Sequence, residues 1–60
     1  MNNKRYLLQK LIEKDEKTKL EVWINTSVSS NQLGPLMNFL SIGHRIFDTV
    51  TNREIKRREV

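Results

Sequence analysis

Residues 15–25 read Asp-Glu-Lys-Thr-Lys-Leu-Glu-Val-Trp-Ile-Asn, a polar turn that runs straight into an apolar alternation. Leu20, Val22 and Ile24 alternate with Glu21, Trp23 and Asn25, the period of two expected of a strand with one buried face. The five residues Asp15-Glu16-Lys17-Thr18-Lys19 have the form Asp-x-x-Thr followed by a position that needs a left-handed backbone, and Asp48-Thr49-Val50-Thr51-Asn52 repeats the form. Asp and Thr side chains satisfy backbone donors inside such turns, and Asn accepts positive φ more readily than Lys. Both stretches are read as hairpin loops.

Four residues between each closing pair set Asp15 opposite Leu20 and Asp48 opposite Arg53, and the rest of the register follows. In the first hairpin, Lys14 then faces Glu21, Ile12 faces Trp23 and Leu11 faces Ile24. In the second, Phe47 faces Glu54 and Ile46 faces Ile55. Most of these are apolar or opposite-charge pairs, which favours the register. The segment before the first loop is ambiguous. Leu7, Leu8, Leu11 and Ile12 fit a helix stripe better than an alternation, and Asn3 is a fitting cap for such a helix. The strand reading is preferred for residues 3–14.

Between the hairpins, polar residues 27–30 lead to Leu33, Leu36, Met37 and Leu40, spaced as one apolar helix face. Pro35 belongs in a first turn, so the helix is expected to begin near Gly34, to run two to three turns, and to stop at Gly43 as a left-handed cap. The expected fold class is α+β: a small two-layer domain, with a four-stranded antiparallel sheet in the order β-β-α-β-β and one short helix on one face. Residues 1–60 are expected to form a single small domain and to be a complete gene product, since so short a chain has room for one core.

The composition excludes several kinds of chemistry. Without Cys there are no disulfides or thiolate ligands, which points to a reducing, cytoplasmic compartment. No apolar run approaches the roughly 20 residues of a membrane span, so no membrane association is expected. His44 is the sole histidine, so a metal site built on two imidazoles cannot form, and it is read as incidental. Ser27, Ser29, Ser30 and Ser41 lack a nucleophile elbow and a partner base, and Gly34 and Gly43 are isolated glycines at helix ends. An enzyme, a cofactor, a metal and a small-molecule substrate are all unexpected on these grounds. The absence of Ala and the six Asn suit an AT-rich coding background, as in some bacteria and phages.

The net charge of +4 favours anionic partners without naming one. In the expected register the helix-side layer holds Leu7, Leu11, Leu20, Val22, Ile24, Ile46 and Ile55. The opposite face then gathers Tyr6, Leu8, Ile12, Trp23 and Phe47 with Lys10, Lys14, Arg45, Lys56 and Arg58. Tyr6, Leu8, Lys10, Ile12, Trp23, Arg45, Phe47, Lys56 and Arg58 are the candidate partner-binding residues. One reading is a protein interface anchored by Trp23 and Tyr6, used for homodimerisation or for docking as a small accessory subunit on a larger assembly. The alternative is nucleic acid, with bases on the aromatic rings and phosphates on the cations, and a contribution from the basic tail from Arg53 to Glu59. A third, plainer reading has the sheet twist tuck Trp23 and Phe47 against the margin of the core, leaving a solvated basic face.

Overall fold

Four strands and one helix form along the chain: β1 (Tyr6–Lys14), β2 (Glu21–Ser30), α1 (Leu33–Met37), β3 (His44–Asp48) and β4 (Arg53–Arg58). The structure is a computed structural model that describes residues 4–58. Asn3, the cap of the alternative helix, and Glu59 of the basic tail lie outside the described residues. The sheet is antiparallel in the order β2-β1-β3-β4, so each hairpin contributes one central and one edge strand, and the two hairpins join through β1 and β3. This is the α+β arrangement expected from the sequence.

Both loops close as their sequences dictate. In the first, Asp15 N–H donates to the Leu20 carbonyl at 2.8 Å, and the Asp15 carboxylate accepts from the backbone N–H groups of Lys17 at 2.9 Å and Thr18 at 3.4 Å. In the second, the Asp48 carboxylate accepts from Val50 N–H at 2.9 Å. Lys19 (φ 63°) and Asn52 (φ 57°) take the left-handed positions. Lys14 pairs with Glu21, Asp48 with Arg53 and Phe47 with Glu54.

Beyond these first pairs each hairpin carries an extra residue. The β1–β2 register passes from Glu13 opposite Val22 to Leu11 opposite Trp23, which leaves Ile12 as the bulged residue. The β3–β4 register passes from Phe47 opposite Glu54 to Ile46 opposite Lys56, which leaves Ile55 out in the same way. Side chains alternate with a period of two, so one inserted residue exchanges the faces of everything beyond it. Ile12 therefore does not face Trp23, Leu11 does not face Ile24, and Ile46 does not face Ile55. A further shift in β2 adds two residues between Asn25 and Ser29, which preserves the alternation. There the Thr26 hydroxyl donates to the Leu8 carbonyl at 2.8 Å and accepts from Val28 N–H at 3.1 Å, supplying locally what the interrupted ladder lacks.

The fully buried apolar core is Leu8, Leu36 and Ile46, with Tyr6, Val28, Leu33 and Leu40 packed around it. Leu8 and Ile46 are direct partners across β1 and β3, and Leu36 closes over them from the helix. Leu7 and Leu11, expected beneath the helix, fall on the opposite face through the bulge at Ile12. Leu20 sits in the loop and is exposed, and Ile55 is exposed at its bulge. Val22 and Ile24 keep the helix-side layer but are uncovered, because α1 spans just five residues. The helix begins at Leu33, one residue before the expected Gly34, and ends at Met37. It is shorter than the expected two to three turns, and its C-cap is Asn38. Gly43, with φ 84°, is not that cap. It turns the chain into β3, where its N–H donates to the Arg58 carbonyl and its own carbonyl accepts from Leu11 N–H, both at 2.8 Å.

Candidate functional site

The two bulges divide the expected partner-binding residues between the faces of the sheet. Trp23, Arg45 and Phe47 share the face away from the helix, where Leu11 is paired with Trp23 and Arg45 with both Gln9 and Arg57. Tyr6 and Leu8 lie on the helix side, Leu8 buried and Tyr6 packed against the core. Lys10, Lys56 and Arg58 are also on the helix side, since they pair directly with His44, Ile46 and His44 respectively. Ile12 is exposed in its bulge, and Lys14 lies opposite Glu21 beyond it. The single aromatic and basic surface expected from the sequence is not assembled.

The Trp23 face is instead an internally paired lattice. The Arg45 guanidinium lies 4.4 Å from the Trp23 ring centroid and 5.1 Å from that of Phe47, and the Arg57 guanidinium lies 5.3 Å from Trp23. Arg57 donates to Glu21 through Nη1 at 2.8 Å and Nη2 at 3.0 Å, and its Nε meets both carboxylate oxygens of Glu54 at 2.9 Å. Arg45 donates to Gln9 Oε1 at 2.8 Å and approaches Glu54 at 3.4 Å, while Gln9 donates to Asn25 Oδ1 at 2.9 Å. The Arg57 hydrogen bonds hold both the Glu21 and the Glu54 carboxyls below the ordinary glutamate range, and those two carboxylates raise Arg57 in return. Two arginines and two glutamates cancel in charge at the centre of this face, and Lys14, opposite Glu21, adds one cation at its end. A nucleic-acid base could stack on Trp23 only by displacing guanidinium groups already held by carboxylates.

A second polar cluster ties the chain start to the far hairpin. Arg5 donates from Nε (3.1 Å) and Nη2 (3.0 Å) to the two oxygens of Asp48, whose side chain is 3% exposed. The Arg5 carbonyl accepts from Thr49 through its N–H at 2.9 Å and its hydroxyl at 2.8 Å, and Arg5 N–H donates to Asn31 Oδ1 at 3.0 Å. The Arg5 guanidinium, with help from the Val50 N–H, draws the Asp48 carboxyl down to about 2. Every acceptor here is engaged, and the arrangement joins β1, β2 and the β3–β4 loop. Sequence reasoning assigned Arg5 no role, because its partner is 43 positions away.

The helix-side layer has the opposite character. Lys10, His44 and Arg58 form one row across β1, β3 and β4, with Lys56 beside Ile46 in the neighbouring row. Among the described residues no carboxylate pairs with Lys10, Lys56 or Arg58. A shallow groove of 310 Å³ runs here between Met37 and Leu40 on one side and Lys56, Arg57 and Arg58 on the other. His44 Nδ1 lies 3.2 Å from the Ile42 carbonyl oxygen. At the other end of the layer Val22 and Ile24 are exposed, as are Phe39 and Ile42 on the segment returning from the helix. Ser30 and Ser41 serve turns, Ser30 by accepting from Gln32 N–H and Ser41 by donating to the Phe39 carbonyl. Among the described residues no three His, Asp or Glu side chains gather as metal ligands would, and no helix is long and apolar enough to cross a membrane.

The two sheet edges also differ. β4 carries Arg53, Lys56, Arg57 and Arg58 in six residues. β2 is ten residues long, contains no Lys, Arg or Pro, and has Glu21 as its one charged side chain. In comparisons with protein-family models, with curated proteins and with solved structures, nothing matches the chain.

Proposed function

We propose that this protein is a non-enzymatic protein-interaction module, acting as a homodimer or as a small accessory subunit of a larger assembly, and that it makes contact through β2. The surface consists of the free edge of β2 with Val22 and Ile24, rather than the face bearing Trp23, Arg45 and Phe47. The observation that carries the reading is the contrast between the edges. Open strand edges invite pairing with another chain, and proteins guard them with charge, proline or short length. β4 is guarded in this way, while β2 is long, nearly uncharged and carries the exposed Val22 and Ile24. Fully buried apolar side chains number three among the described residues, so the fold gains from any partner that covers more apolar surface.

The test is capture by the tagged chain from its source cells, run beside a Val22→Lys/Ile24→Lys double variant. Both positions are exposed in the single chain, so the variant is expected to stay folded, its unfolding temperature lowered only by the stability that self-association adds to the parent. The reading expects a stoichiometric partner, either another copy or a different protein, recovered by the parent at low and high salt and lost by the variant. Equal recovery by both chains refutes it.

One observation favours a second reading, nucleic acid. The row Lys10, His44 and Arg58, with Lys56 beside it, gathers three cations around one imidazole with no carboxylate paired to them among the described residues, an arrangement an anionic backbone would relieve. Titration of a labelled single-stranded oligonucleotide tests it. Affinity should fall steeply with salt, and Lys56→Ala with Arg58→Ala should flatten that dependence. Salt-independent or absent binding rejects it.

A further inference from the structure

We infer that the occupant of the β2 edge is a second copy of this chain, paired antiparallel about Trp23 so that two four-stranded sheets join into one of eight strands. The inference rests on β2 being the contact surface and adds the identity of what it contacts.

The pairing follows from where β2 is regular. The extra residue of the first bulge belongs to β1, and the two-residue shift in β2 begins beyond Asn25, so residues 21–25 run as uninterrupted strand. A two-fold axis through Trp23, perpendicular to the sheet, places Val22 of each copy opposite Ile24 of the other on the helix-side layer. It sets Glu21 opposite Asn25 and brings the two Trp23 side chains together on the far face. Shifting the centre to Ile24 would set Val22 against Thr26 and Trp23 against Asn25. Shifting it to Val22 would set Glu21 against Trp23 and run the pairing past the strand end. The Trp23 centre alone joins Val22 of each copy to Ile24 of the other while keeping the paired residues within the regular part of the strand.

Charge selects the same edge. Two copies, each carrying +4, repel over most of their surfaces, and a β4 edge meeting its own copy would oppose arginines and lysines. β2 contributes only Glu21, already neutralised by Arg57 at 2.8 Å.

The chain has no Cys, so engineered thiols report this register without background. Val22→Cys and Ile24→Cys are made as separate variants, both at exposed positions. Directly opposed residues of an antiparallel pair lie about 4.5–5.5 Å apart at Cα, within disulfide reach. The same residue in the two copies is offset along the strands and lies beyond that reach. Under mild oxidation with diamide, an equal mixture of the two variants should form a disulfide-linked dimer about tenfold faster than either variant alone. The parent chain should sediment at twice its monomer mass at about 100 µM protein, at both low and high salt, and Ile24→Lys should return it to monomer. A monomeric parent, or equal cross-linking in the mixture and the single variants, overturns the self-pairing. Capture of a different protein through β2, lost on Val22→Lys/Ile24→Lys, would leave the interaction module standing with another occupant.

Discussion

Truncation of Leu36 to Ala tests whether one side chain holds the two layers together. A five-residue helix has no stability of its own in water, so α1 persists only by what it buries. Leu36 is the one buried residue in it, 1% exposed, and it closes the core over Leu8 and Ile46. Removing three carbon groups from a buried site forfeits about 2.4 kcal/mol of transfer free energy, and the cavity left behind brings the loss to about 3 kcal/mol or more. A domain of this length has only about 3–9 kcal/mol in total. Urea unfolding, followed by Trp23 fluorescence at fixed protein concentration, reads the loss directly. With a slope near 1 kcal/mol per molar urea, the midpoint should fall by about 3 M. Met37→Ala, at a position more than one-third exposed, should lose less than half as much. Equal losses at Leu36 and Met37 would mean that the helix is not anchored through Leu36, and the account of the core would be wrong.

Three other perturbations probe features away from the core. The Asp48 carboxyl is held at about 2 by Arg5, so its contribution to stability is fully present above about pH 4 and is lost as pH falls toward 2. Arg5→Ala should move the Asp48 titration, followed by carbon-detected NMR, up toward the ordinary aspartate range and remove much of that acid dependence. Arg57→Ala should raise the titrations of both Glu21 and Glu54 and make Trp23 fluorescence redder and more easily quenched. An unchanged Trp23 spectrum would contradict the roofing of that ring. Gly43→Ala should cost about 1–2 kcal/mol because its φ is 84°, whereas Lys19→Gly should be neutral or stabilising by up to about 1 kcal/mol, both read by thermal unfolding.

The sequence made the hairpin ends legible because turn chemistry is local. Asp15, Thr18 and Lys19, and again Asp48 and Asn52, announce their conformations through contacts a few residues long. The fold class followed from placing two such turns around one apolar helix stripe. The assignment of faces failed for an equally physical reason. A bulge at Ile12 or Ile55 leaves no local mark, since isoleucine suits a regular strand as well as a bulged one. β1 was hard to read because it is a central strand, partly covered on both faces, so its leucines need not alternate with polar residues. The expected site mixed residues from both layers as a result: Trp23, Arg45 and Phe47 stayed together, while Tyr6, Leu8, Lys10, Lys56 and Arg58 went to the other side. Arg57, the hub of the Trp23 lattice, was passed over because the assumed register pointed it away.

The bulges bear on how such a molecule changes over generations. A substitution alters one point on a surface, whereas a lost codon ordinarily turns a whole strand over. Loss of the codon for Ile55 would instead only straighten the bulge, because Lys56, Arg57 and Arg58 already lie opposite Ile46, Arg45 and His44 and would keep those partners. The outer strand of the second hairpin thus holds one residue in reserve, and an in-frame deletion there leaves Arg57 with Glu21 and Glu54 and the charge of both surfaces as it was.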